Sequence, residues 1–230
     1  MDALALHPDI ALPSKQVDCQ DNELLHPREA GKYIAWYQQF STTPINDDIG
    51  LINAFYHASR DSNFAGFKTM PNRHRRLKLL VGNPRVQTIT LDRVDLASTI
   101  ASFVIATRQQ TWRREGGKQS HRFTFDYSYR DQVEGHLRYV ITSRWILQSI
   151  PGAIHLRYES LCDADFHDPA LDAYFGRHIA LLDPKPPTAA QNYVNNWGSF
   201  YAFINDYAER MEYQLKHAEQ VQSADNAAGD

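Results

Sequence analysis

The stretch Val86–Trp112, VQTITLDRVDLASTIASFVIATRQQTW, decides the fold that the sequence predicts. Its first part, up to Leu91, is rich in β-branched residues, which is typical of a strand. Asp95 then precedes apolar residues at helical spacing and is the expected N-cap of a helix over Asp95–Thr111. A strand that leads straight into a helix places its last side chains at the carboxyl edge of a parallel sheet, where open α/β folds bind ligands.

Two further short runs, Phe64–Thr69 and Ala153–Tyr158, also predict strands. Together with Val86–Leu91 they are expected to form one mutually parallel sheet with helices on both faces. The predicted helices are Glu29–Phe40, Asp47–Ala58, Arg73–Val81, Asp95–Thr111, Asp126–Ile150, Pro169–Leu182 and Trp197–His217. The sequence thus predicts an α/β fold with a single domain over residues 1–217 and a disordered polar tail over 218–230.

The first predicted helix, Glu29–Phe40, carries four large aromatic residues. At helical spacing these fall on one face, which is therefore expected to point into the core. The residues are Tyr33, Trp36, Tyr37 and Phe40.

Composition and charge exclude several classes of protein. The 230 residues are 43% hydrophobic, which is enough for a substantial core. A formal net charge of −3 argues against nucleic-acid binding. Two cysteines, Cys19 and Cys162, make no disulfide framework, which indicates a reducing compartment. No apolar stretch reaches the roughly 20 residues of a membrane helix and no leader opens the chain, so a cytoplasmic protein without a membrane span is predicted.

Arg93 and Ser102 are the leading candidates for a binding site. Arg93 follows the strand at Val86–Leu91, and Ser102 lies on the helix after it. A guanidinium and a hydroxyl on fixed elements form a donor set suited to a phosphate. The structural alternative places Arg93 in a surface ion pair and Ser102 on a solvated helix face.

Other candidates each have a structural alternative. Lys68 ends a strand-like Gly-Phe-Lys, where a charge needs a partner or a ligand. The basic run Arg73–Lys78 is typical of a solvated helix face, and a nucleic-acid-binding role is the weaker interpretation. Trp112 is placed either to stack on a ligand or to pack in the core. Tyr158 and Glu159 end a strand where they can meet a nucleotide, unless Glu159 only bonds to neighbouring loops.

Common catalytic and metal-binding motifs are missing from the sequence. There is no GxSxG nucleophile elbow and no GxGxxG loop. Neither HExxH nor His-x-His spacing occurs, so no metal site is predicted. The histidines considered are His57, His74, His121, His136, His155 and His167.

Taken together, these segments resemble the sulfotransferases that use 3′-phosphoadenosine 5′-phosphosulfate, especially the bacterial carbohydrate branch of Nod-factor and trehalose sulfotransferases. The resemblance follows the family's order along essentially the whole chain. The matching segments are LALHPDI at Leu4–Ile10, Gly66-Phe67-Lys68, VQTITLDRVDLASTIASF, ATRQQTW, HLRYESL and NYVNNWGSF.

The resemblance implies a P-loop-like parallel sheet flanked by helices and transfer of a sulfuryl group from 3′-phosphoadenosine 5′-phosphosulfate, without a metal, to a hydroxyl of a carbohydrate or small metabolite. Arg93 and Ser102 would hold the 3′-phosphate, and Tyr158 would contact the adenine. Lys68 and Trp112 are candidate substrate-binding residues, and no catalytic residue is assigned. The expected partners are the hydroxyl acceptor and, in a homo-oligomer, further copies of the chain.

The sequence departs from the family pattern at its beginning. In the family, a strand and a phosphate-cradling loop precede the first helix, whereas this chain begins after them. That loop donates backbone N–H groups to the 5′-phosphosulfate. The sequence therefore predicts a poor or inactive sulfotransferase. The alternative is a catalytically inactive remnant of the fold with a binding or assembly role.

Overall fold

The computed structural model describes residues 8–17, 23–26, 30–70, 80–81, 83–109, 122–163, 165–179 and 190–228. The basic run Arg73–Lys78 and the candidate Trp112 lie outside these ranges.

The chain divides into two compact units. The first unit comprises the described residues within Met1–Thr90, Ile150–Ile154 and Asp163–Pro184. The second comprises those within Leu91–Ser149, His155–Cys162 and Lys185–Asp230. The single domain over residues 1–217 stays a prediction.

Short strands and longer helices make up the regular structure of the described residues. The strands are β1 (Ile10–Ala11), β2 (Phe64–Ala65), β3 (Ile89–Asp92) and β4 (Ile154–Arg157). The helices are α1 (Pro13–Gln16), α2 (Ala30–Tyr37), α3 (Asp48–Ala58), α4 (Leu96–Gln109), α5 (Arg130–Gln148), α6 (Pro169–Phe175) and α7 (Trp197–Ala228). None of these helices is long and apolar enough to cross a membrane.

The strands pair in two separate sheets, which corrects the single three-stranded sheet that the sequence predicted. β1 pairs in parallel with β2, with Ile10 opposite Phe64. β3 pairs with β4. The prediction was wrong because Ile10–Ala11 was not predicted as a strand, whereas it is a buried strand that pairs with β2. The described part of the chain is therefore a mixed α/β structure with short parallel strands.

The direction of the β3–β4 pair follows from its hydrogen bonds. The amide of Ile154 donates to Thr88 O over 2.9 Å, and the amide of Tyr158 donates to Asp92 O over 2.7 Å. The partners advance together along both strands, which is the parallel arrangement. The carboxyl ends of β3 and β4 therefore meet at one edge.

The core of the first unit is built around aromatic side chains of α2 and α3. Tyr33, Tyr37 and Phe55 are fully buried, and Phe55 meets Tyr37 edge to face at 5.8 Å between ring centroids. The predicted aromatic face of the first helix is only half correct, because Trp36 is 41% exposed and Phe40 is 40% exposed. A 3₁₀ turn over Gln38–Phe40 follows α2, and it takes Phe40 off the helical spacing.

The core of the second unit lies among α4, α5 and α7. These helices contribute apolar side chains at helical spacing, and an isolated parallel bridge between Phe123 and Val194 closes one side. The fully buried residues of this core include Ile100, Val104, Val133, Leu137, Phe200 and Ile204.

Helix ends differ from the sequence prediction where local hydrogen bonds compete with the helix. Asp95 caps α4 as predicted, since its Oδ1 accepts from the amide of Ser98 over 2.9 Å. Asp126 instead accepts from the amide and hydroxyl of Ser128, so a 3₁₀ turn precedes α5, which begins at Arg130. The last helix continues to Ala228, into the segment predicted to be disordered, because its alanines, glutamines and glutamate favour helix.

Candidate functional site

The carboxyl edge of β3 and β4 brings together two of the predicted binding residues. Arg93 directly follows β3, and Tyr158 directly follows β4. The Arg93 guanidinium carbon lies 5.0 Å from the centroid of the Tyr158 ring, a cation–π contact. Arg93 Nε is buried and has no hydrogen-bond partner among the described residues. This edge therefore holds a donor that a ligand oxygen could satisfy.

Arg144 of α5 fixes the backbone from which Arg93 projects. Its Nε lies 2.8 Å from Asp92 Oδ2, and its Nη2 donates to the carbonyl oxygen of Arg93. Both side chains of this ion pair are largely buried, at 15% and 25% exposed. Arg144 thus neutralises the Asp92 carboxylate and holds the end of β3 against α5.

Glu159 already occupies the backbone donors at the start of α4. Its two carboxylate oxygens accept from the amides of Val94 and Asp95, each over 3.1 Å. Burial opposes ionisation, but these amide bonds outweigh it and lower the pKa of Glu159. The helix N-terminus, where a ligand anion would otherwise be favoured, is thus held by an internal carboxylate. The structure thus shows the alternative interpretation of Glu159, in which its carboxylate bonds to the neighbouring backbone.

Tyr158 presents a neutral phenol beside the guanidinium. Burial raises the pKa of Tyr158, and the positive charge of Arg93 opposes this only in part. The hydroxyl therefore keeps its proton at neutral pH, and a hydrogen bond with the Cys162 side chain contributes to this. Its ring offers an aromatic surface at the sheet edge.

Ser102 lies two turns into α4, about 10 Å along the axis from Asp95. Its side chain is half-buried and its hydroxyl donates to Ser98 O over 2.7 Å. The structure therefore places this hydroxyl against the helix backbone rather than against Arg93. A hydroxyl in this state still has acceptor capacity for a ligand donor.

Lys68 belongs to the first unit, where the chain has already left β2. The strand predicted over Phe64–Thr69 ends at Ala65, so Lys68 is not a strand-end residue. The residue is half-buried and takes part in an interaction with another part of the chain.

The first unit holds a polar cluster that the sequence analysis missed. His167 Nε2 and His178 Nδ1 each lie 3.1 Å from Asp172 Oδ2. Neither histidine has a standard metal-ligand spacing to the other. The signal in the sequence was the helix start at Asp168-Pro169 and the stop at Gly176, which turn the chain so that the flanking histidines meet.

Comparisons of this chain with protein-family models, curated proteins and solved structures find no match. The resemblance to sulfotransferases therefore depends on the matching sequence segments alone. What the structure adds is the geometry around Arg93.

Proposed function

We propose that this chain is a sulfotransferase-like protein that binds 3′-phosphoadenosine 5′-phosphosulfate at the carboxyl edge of β3 and β4 and transfers its sulfuryl group to a hydroxyl of a carbohydrate or small metabolite. The observation that carries the proposal is the buried, unpartnered Nε of Arg93 among the described residues, next to the Tyr158 ring. The fold would then be the P-loop-like sulfotransferase type, of which the parallel β3–β4 pair is a part.

A phosphate is the ligand that fits this donor best. A guanidinium presents a planar fork that binds two phosphate oxygens at once, and a bond to Nε would remove the cost of its burial. Asp92 is neutralised by Arg144, so that carboxylate does not compete for Arg93. Tyr158 supplies the aromatic surface on which an adenine would lie. Ser102 would be the second phosphate ligand only after its hydroxyl turns away from Ser98 O, to which it now donates.

Glu159 limits how tightly the phosphate binds. Its carboxylate holds the two amides at the start of α4, and the charge of Arg93 contributes to its lowered pKa. A phosphate at Arg93 therefore meets a nearby like charge and gains no amides from that helix. We expect modest affinity, set mainly by Arg93.

Sulfuryl transfer would depend on positioning. The sulfur–oxygen bond to the 5′-phosphate breaks as a new one forms to the acceptor oxygen. Adenosine 3′,5′-bisphosphate leaves, and the proton of the acceptor hydroxyl passes to water. As in phosphoryl transfer, alignment of the donor and neutralisation of developing charge supply most of the rate gain. In this chain Arg93 and Tyr158 would orient the nucleotide end of the donor.

Calorimetry on the full chain tests the phosphate assignment by comparing adenosine 3′,5′-bisphosphate with AMP. A charged hydrogen bond contributes roughly 1.5–3 kcal/mol, so we expect the bisphosphate to bind about tenfold or more tightly than AMP. Arg93→Ala should abolish this preference, whereas Arg138→Ala, which removes an exposed arginine of α5, should leave it unchanged. Equal affinities in the native chain, or an unchanged preference in Arg93→Ala, would overturn the assignment.

A transfer assay tests the reaction itself. Radiolabelled 3′-phosphoadenosine 5′-phosphosulfate is incubated with the chain and a panel of sugars, and labelled product is measured. Transfer that is lost in Arg93→Ala supports the proposal. Binding of the bisphosphate without transfer to any sugar would instead favour the alternative, a sulfotransferase-fold protein with a binding or assembly role.

A further inference from the structure

His167, Asp172 and His178 surround one point at the ends of α6, in the first unit. Their ligand atoms all lie within 4.8 Å of one another. We propose that these three residues form a binding site for a divalent transition-metal ion, with Zn²⁺ as the favoured ion, bound by His167 Nε2, Asp172 Oδ2 and His178 Nδ1. This inference is independent of the proposed function, because it involves other residues and another ligand.

The distances in the cluster are close to those of a tetrahedral site. Metal–ligand bonds of about 2.0–2.1 Å place neighbouring ligand atoms about 3.3 Å apart in a tetrahedron. Both histidine nitrogens lie 3.1 Å from Asp172 Oδ2, so two edges need almost no adjustment. The two histidine nitrogens lie within 4.8 Å of each other, so the partly exposed imidazoles would have to move closer together to bind one ion.

The carboxylate at the centre of the cluster is held in place by the backbone. Asp172 Oδ1 accepts from the amide of Ile179 over 3.0 Å, which leaves Oδ2 directed at the two histidines. A carboxylate that is fixed by a second hydrogen bond is what metal sites use to orient their ligands.

The two histidines are brought together by the ends of α6. Asp168 caps the helix through the amide of Leu171 over 2.9 Å, with Pro169 at the first turn. Gly176 ends it in the left-handed conformation, with a φ of 67°, and this turn carries the chain back toward Asp172. The arrangement is therefore built by capping rather than by a long flexible loop.

The donor set selects the class of ion and leaves room for a further ligand. Two imidazoles and one carboxylate suit zinc and related transition metals, whereas calcium and magnesium prefer oxygen ligands. The histidine side chains are 59% and 53% exposed, so an ion has free access from solvent. Three protein ligands leave a fourth position for water, as in open zinc sites.

The competing explanation is a hydrogen-bonded triad in which both ring nitrogens carry protons and donate to Asp172. In the triad, the ring nitrogens that face Asp172 carry protons. In a metal site, the same nitrogens carry no proton and bind the ion through their lone pairs. Only a metal site predicts saturable binding that depends on both histidines.

The experiment uses the full chain, treated with a chelator and then titrated with ZnCl₂ by calorimetry. Cobalt titration provides a second readout, because visible ligand-field bands report bound Co²⁺ directly. We expect one site per chain and a loss of affinity of about tenfold or more for His167→Gln and for His178→Gln. His57→Gln, which changes an exposed histidine on α3, is the matched control and should bind normally.

Thermal unfolding separates the metal site from a purely structural role. Zinc should raise the Tm of the native chain and of His57→Gln, but not that of the double variant His167→Gln/His178→Gln. Both exchanged side chains are more than half exposed, so the double variant is expected to fold. The proposal fails if the native chain shows no saturable binding, or if the double variant binds zinc as tightly as the native chain.

Discussion

At the scale of single residues, His136 should make the free energy of unfolding depend on pH. It lies on α5 with its ring stacked on Phe103 of α4. Burial lowers the pKa of His136 from 6.5 to about 4. Between these values the unfolded chain binds a proton that the folded chain does not, so the free energy of unfolding falls as the pH drops from about 6.5 to about 4.

We expect His136→Leu to remove this part of the pH dependence. The imidazole is only partly buried, so the difference is on the order of 1–2 kcal/mol after solvent screening. Urea denaturation of both proteins at about pH 7 and about pH 5 measures it. His57→Leu, at an exposed position, should keep the native dependence. If His136→Leu loses as much stability on acidification as the native chain, burial does not hold that imidazole neutral.

The carboxyl edge of β3 and β4 also depends on single residues, and the sequence predicted some of the residues that lie there. Arg93 and Tyr158 were placed at strand ends by the β-branched runs before them, and parallel pairing brings them together. Bonding of Glu159 to neighbouring loops was one of two interpretations of the sequence, whereas its choice of the Val94 and Asp95 amides depends on how β4 meets the start of α4. A local pattern locates strand ends, whereas tertiary packing decides which side chain takes which donor.

At the scale of elements, the predicted cap was a dependable signal. Asp95, the N-cap that the sequence predicted, accepts from the amide of Ser98 at the start of α4, and the structure shows Asp47 and Asp168 capping α3 and α6 in the same way. Hydrophobic spacing was less dependable, since Trp36 shares a helix with Tyr33 and Tyr37 but faces solvent. A cap is satisfied by its own neighbours in the chain, whereas burial of a face depends on what packs against it.

Two glycines allow a matched test of backbone conformation. Gly176 ends α6 with a φ of 67°, whereas Gly135 lies inside α5, and at both positions an added Cβ would meet nothing within 4 Å. Gly176→Ala should therefore cost about 1 kcal/mol through backbone strain alone. Gly135→Ala should stabilise by roughly 0.5–1 kcal/mol, because alanine favours helix.

Chemical denaturation of the two variants measures both effects. Opposite shifts of the urea midpoint at an unchanged slope are the expected result. If Gly176→Ala is as stable as the native chain, the left-handed end of α6 is wrong. The turn that brings His178 to Asp172 would then be wrong as well.

At the scale of the whole molecule, strand pairing was the feature that the sequence predicted least well. The short runs at β2, β3 and β4 were recognised, and β3 and β4 do share one parallel sheet as predicted, but β2 was assigned to that sheet because β1 was not recognised as a strand. Pairing joins residues far apart in the chain, so one missed strand gave β2 the wrong partner. The prediction of a mixed α/β structure was confirmed despite this error, because the class depends only on the order of helices and strands.

The two units have separate aromatic cores, and stability should depend on both. Phe55 in the first unit and Phe200 in the second are each 0% exposed, and each meets other aromatic rings edge to face. Truncating a buried phenylalanine to alanine typically costs 3–5 kcal/mol, a large share of the roughly 5–15 kcal/mol that stabilises a domain. Phe55→Ala and Phe200→Ala should each lower the urea midpoint sharply. Phe40→Ala, at a position 40% exposed, should change it far less.

Near-ultraviolet circular dichroism gives a readout even if a variant is too unstable for a full denaturation curve. Loss of the aromatic signal at low temperature in Phe200→Ala, with the signal kept in Phe40→Ala, is the expected pattern. A Phe200→Ala chain as stable as Phe40→Ala would mean that α7 does not pack on Phe123 and Phe125 through this side chain. The position of α7 in the core of the second unit would then be wrong.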